Sequence, residues 1–181
     1  MRDILNLHNP FAKVIVPVAV IALVWLLCRY RSHISMQKEL RVVRPPLMQC
    51  FAWLTISLLW QFGTDYIMNW RGPWDFAPWL AQSWYISVCR VLAVGILGPV
   101  AEELVFRGYL LYRLTKLRWF NKWRAVIVLA GAWAYLHIDY SLPIIFVIFV
   151  FGILMGAALI KTRSIVVPIL MHICWNLYAV W

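Results

Sequence analysis

Six stretches of roughly 20 mostly apolar residues, joined by short basic connections, decide the solvent in which this chain can fold. They run from about Phe11 to Cys28, Leu47 to Met68, Trp79 to Leu114, Trp123 to Ile138, Leu142 to Ile160 and Ser164 to Trp181. Only 13% of the 181 residues are charged, and 64% are hydrophobic. A soluble domain carries about 25% charged residues, so the chain has too little polar surface to cover itself in water. In lipid each backbone polar group must be satisfied within its own segment, which favours helices. The expectation is an all-α, polytopic transmembrane bundle of about six spanning helices, with residues 1–181 forming a single integral membrane domain. Gly98-Pro99 inside the third stretch predicts a kink or a break there.

The connections also predict orientation. The formal charge is +10, and twelve basic residues fall in three inter-helix connections. These are Arg29, Arg31, Lys38, Arg41 and Arg44, then Arg113, Lys116, Arg118, Lys122 and Arg124, then Lys161 and Arg163. The opposite side holds three, Arg2, Lys13 and Arg71. By the positive-inside rule both termini lie outside. Basic charge placed this way suits anionic lipid headgroups and argues against nucleic acid as a partner. Cys28, Cys50, Cys89 and Cys174 lie in apolar segments with no C-x-x-C spacing, and read as small core residues. The N-terminal segment has no A-x-A-like cleavage site after an apolar core, so the first helix is expected to stay. Trp70, Trp74, Trp79 and Trp84 suggest an outer aromatic belt, and Trp119 and Trp123 an inner one. Gly152 and Gly156 form a G-x-x-x-G that allows close helix packing.

Ionisable residues inside the apolar stretches are costly and need a partner, a water-filled cavity or a function. They are Asp65, Arg90, Glu102, Glu103, Arg107, His137 and His172. Asp65 sits near the outer end of its helix, where solvent suffices, and Arg90 is a candidate to pair or to line a cavity. Glu103 and Arg107, four apart, share a helix face and can form an ion pair. Glu102 points about 100° away from them. His137 follows Trp133 by one turn, and His172 and Asn176 are again four apart. At 1.5 Å per residue Glu102 lies roughly 16 Å above the inner end of its helix, and His137 roughly 21 Å above its own. His172 and Asn176 lie roughly 12 and 18 Å above Ser164. All four fall near the middle of a hydrocarbon core about 30 Å thick, and can converge.

The ordered series E-E-x-x-x-R, aromatic-x-x-x-H and H-x-x-x-N resembles the CAAX-protease and bacteriocin-processing (CPBP, or Abi) intramembrane proteases. The segment Glu102-Glu103-Leu104-Val105-Phe106-Arg107-Gly108 matches the first motif through its Phe-Arg-Gly ending. His137 matches the second, with Trp133 where Phe is commoner. His172 and Asn176 match the third, with Pro168 one turn earlier, so the motifs occupy residues 98–181. The resemblance implies an intramembrane endopeptidase of the bacterial cytoplasmic membrane acting on a membrane-anchored protein or peptide. Its implied roles are Glu102 as the base that activates water, helped by His137. His172 and Asn176 would stabilise the oxyanion, and Glu103 with Arg107 would support Glu102. No cofactor is implied by these roles. A zinc protease at the same residues is the alternative, with His137, His172 and a Glu as ligands, although no H-E-x-x-H is present. Non-catalytic immunity or scaffold proteins and transporters are further alternatives; a transporter predicts paired broken helices or an internal repeat, and neither is visible.

Overall fold

The computed structural model describes residues 10–31, 39–70, 81 and 83–180. Arg2, Lys38, Arg71, Trp74, Trp79 and Trp181 lie outside the described residues. Six helices follow one another without a strand among the described residues: α1 (Pro10–Arg31), α2 (Leu47–Met68), α3 (Trp84–Leu114), α4 (Lys122–Tyr135), α5 (Leu142–Thr162) and α6 (Val166–Val180). The all-α bundle is as the apolar stretches predict. Three helices are long and apolar enough to cross a membrane, over Ala12–Tyr30, Trp84–Leu114 and Leu142–Thr162. The other three differ for identifiable reasons. α2 carries a polar stripe, α4 has 14 residues and α6 has 15. At 1.5 Å per residue the two short ones extend roughly 21 and 22 Å, less than a bilayer core.

α3 does not break at Gly98-Pro99. It runs on, but two seven-residue stretches, Val91–Leu97 and Leu104–Leu110, are wound as π-helix. The proline explains the first. In the wider winding Gly98 N–H donates to the Ala93 carbonyl, five residues back. The next donor in that register would be Pro99, which has no N–H. The Val94 carbonyl is thereby released, and Asn176 Nδ2 of α6 donates to it at 2.8 Å. π turns inside α-helices are rare and gather at functional sites. These two bracket Gly98–Glu103, the segment holding both glutamates.

α4 starts on an Asn121 cap, whose Oδ1 accepts from Arg124 N–H at 2.9 Å. It ends at Tyr135, earlier than the apolar stretch predicts, and His137 lies in the turn before α5. α4 and α5 lie close because Gly156 carries no side chain: a Cβ there would come within 2.5 Å of Val126. Gly152 faces Ala130 in the same seam. α6 is held from α2, where Gln61 Nε2 donates to the Trp175 carbonyl at 3.0 Å and Asp65 Oδ2 accepts from Tyr178 Oη at 2.6 Å. Asp65 therefore ties two helices, where solvent exposure was expected. Trp70 is likewise no belt residue: it is buried, stacked on Trp175 at 5.3 Å. Phe151 stacks on the same indole at 4.4 Å. Trp84, Trp119 and Trp123 are exposed, as a belt requires. α1 packs along α3, while its outward side chains, with those of α2, leave Ile15, Leu23, Met48 and Phe51 exposed as a lipid-facing surface.

Candidate active site

α3, α4 and α6 converge on a cavity of about 460 Å³ whose walls include Glu102, Trp133, His137, His172 and Asn176. α1 closes it with Lys13, Val16 and Pro17. All four residues expected to do chemistry therefore border one space. Arg90 is not among its lining residues, so of its two anticipated roles the structure gives it no place in the wall.

Beside this cavity lies a buried charge cluster. Glu103 is completely buried, and its Oε1 accepts from Arg107 Nη1 at 2.9 Å and from His172 Nδ1 at 3.0 Å. The first contact is the expected ion pair. The second joins α3 to α6, and helical spacing within one segment could not reveal it. Arg107 also donates through Nη2 to the Gly152 carbonyl at 3.3 Å, tying the cluster to α5. A carboxylate only accepts, so His172 Nδ1 carries the proton in this contact. That leaves Nε2 as the ring nitrogen free to serve the cavity that His172 lines.

Glu102 is half-buried, and its Oε2 accepts from Trp133 Nε1 at the short distance of 2.6 Å. His137 Nδ1 meets the Trp133 carbonyl at 2.9 Å. A carbonyl accepts, so His137 too holds its proton on Nδ1 and presents Nε2 as an acceptor when neutral. Asn176 spends one of its two N–H donors on the Val94 carbonyl and keeps the other. The expected oxyanion role thus has one amide donor to draw on. A catalytic zinc takes three protein ligands and a water, and among the described residues no three His, Cys, Asp or Glu side chains are gathered to hold one. Glu103 Oε1 is already shared by Arg107 and His172, and Glu102 Oε2 by Trp133.

A half-buried carboxylate and two imidazoles bordering one cavity of an all-helical, apolar bundle point to the class of membrane-embedded hydrolases. The comparison with known families narrows it. The model of the type II CAAX prenyl endopeptidase Rce1-like family matches residues 83–178. This chain belongs to that family, and is a CAAX-type protease embedded in the membrane. The match begins just before α3, ahead of the Gly98 start that the motifs suggest. No curated protein and no solved structure matches the chain.

Proposed function

We propose that this protein hydrolyses a peptide bond near the end of a membrane-anchored protein or peptide, with Glu102 as the base. A water between Glu102 and His137 gives its proton to the free Glu102 oxygen, while His137 Nε2 accepts a second hydrogen bond and orients it. The water oxygen bonds to the peptide carbonyl carbon, and the carbonyl oxygen becomes an oxyanion. The remaining Asn176 N–H donates to it, as does His172 Nε2 when that nitrogen carries a proton. When the C–N bond breaks, Glu102 returns the proton to the departing amine, so the enzyme ends as it began. One observation carries this reading: Glu102, His137, His172 and Asn176 border the same cavity, although they come from three separate regions of the chain. Two further features support it. Glu103 and Arg107 are withdrawn from the cavity wall into an ion pair of their own. The cavity volume is also within the range of about 300–1,000 Å³ typical of ligand sites.

No metal enters this proposal: Glu103 Oε1 is already taken by Arg107 and His172, and the roles given to Glu102, His137, His172 and Asn176 need none. The test uses the purified protein in detergent with an internally quenched peptide bearing a farnesylated cysteine three residues from its C-terminus. Cleavage is mapped by mass spectrometry and repeated after strong chelation, with bound zinc quantified. The expected result is endoproteolysis that continues in chelator. One zinc per chain, with activity lost on its removal and regained on its return, would overturn the metal-free mechanism. His137 and His172 would then become ligand candidates.

A further inference from the structure

Trp133 touches more of the site than any residue assigned a role in it. Its Nε1–H is bonded to Glu102 Oε2 at 2.6 Å, and its carbonyl to His137 Nδ1 at 2.9 Å. Its ring meets both imidazoles edge-on, with centroids 5.0 Å from His137 and 5.2 Å from His172. The Arg107 guanidinium lies over the same ring at 4.7 Å, within cation–π range. The indole is 3% exposed, so little space is left for it to turn. We infer that Trp133 is a positioning residue: its indole N–H fixes one oxygen of Glu102 so that the other faces the water.

The inference rests on Glu102 being the base. A glutamate side chain has three rotatable bonds, and a half-buried one samples several orientations unless a donor holds it. A single N–H on Oε2 sets the carboxylate plane and leaves Oε1 as the proton acceptor. Phenylalanine, which the motif more often carries at this place, would set a smaller aromatic ring against the two imidazoles. It has no N–H to offer. The tryptophan therefore adds a contact that ring packing does not require. Arg107 completes the chain of support, since the cation that balances Glu103 also lies on the face of the ring that holds Glu102. Glu102, Arg107, His137 and His172 thus all meet through one side chain and its carbonyl.

Two variants separate the N–H from the ring. Trp133→Phe keeps an aromatic ring under Arg107. Replacing Trp133 by β-(3-benzothienyl)-L-alanine keeps the bicyclic shape and substitutes sulfur for the N–H, so it serves even where the smaller ring unfolds the protein. Both are assayed with the farnesylated peptide beside Glu102→Gln and wild type. The expected result is a kcat lower by roughly 10- to 100-fold with KM unchanged, the range for a lost hydrogen bond to a charged group. A second readout needs no turnover. In protein labelled with ¹⁵N at tryptophan, Trp133→Phe identifies the Nε1–H resonance, and Glu102→Gln should shift it upfield. Wild-type kcat in the benzothienyl variant, a change confined to KM, or an indole resonance indifferent to Glu102→Gln would each overturn the inference. If Glu102→Gln itself turns over normally, the base assignment has failed, and the resonance still reports whether Trp133 holds that side chain.

Discussion

Glu103 shows how much a single buried oxygen can organise. Its Oε1 meets Arg107 and His172 together, and all three residues are buried. A charge left alone there has no water to turn to, so removing a partner costs more than the contact is worth. Arg107→Ala should destabilise the protein by about 3–5 kcal/mol and lower activity in step. Glu103→Gln keeps one acceptor oxygen but removes the charge, and should act in the same direction. Thermal unfolding in detergent beside turnover checks both; wild-type melting of Arg107→Ala would mean the pair carries no weight. The i,i+4 spacing made this ion pair readable from the sequence, as it did the turning away of Glu102. It could not make readable the contacts that cross between helices. Trp133 to Glu102, His172 to Glu103 and Tyr178 to Asp65 each join segments distant in the chain, and no periodicity encodes a distance of that kind.

Among the elements, apolar length located all six helices but misjudged what happens inside and at the end of them. Gly98-Pro99 was expected to kink or break α3; the helix does not break there, winding wider ahead of Pro99 while Asn176 satisfies the freed Val94 carbonyl. The apolar run through Ile138 hid the end of α4, because a turn lining a cavity can be as apolar as a helix. The Gly152 and Gly156 pattern was legible, and it carries a direct consequence. A leucine at Gly156 must occupy the space of Val126. Gly156→Leu should cost about 1–3 kcal/mol or more through overpacking, and should push α4, with Trp133 and the His137 turn, away from Glu102. Gly63 is a fitting control, since a Cβ there meets nothing within 4 Å. Gly63→Ala should melt at or above the wild-type temperature. Equal melting of Gly156→Leu and wild type would show that the α4–α5 seam tolerates a wider separation.

For the molecule as a whole, the same apolar excess that specifies a membrane solvent makes each polar residue informative. Among the buried polar groups of α2, Gln61 braces α6 through the Trp175 carbonyl, while Thr64 holds Trp70. α1 supplies a wall of the cavity, packs Val24 and Cys28 against α3 and turns its other face outward. Charge placement was read only in part. Arg113 counted as a lipid-facing cation, but Glu39, itself buried, pairs with it at 2.9 Å. Inside the bundle a cavity is bordered by a carboxylate and two imidazoles, and the proposed chemistry turns on that carboxylate. Glu102→Gln tests it most directly. The amide still offers an oxygen to the Trp133 N–H, so shape and melting temperature should hold while the proton acceptor is lost. Turnover of the farnesylated peptide should then fall by roughly 100- to 10,000-fold, the usual contribution of a general base. A correctly folded Glu102→Gln protein that cleaves at the wild-type rate would contradict glutamate-activated hydrolysis at this site.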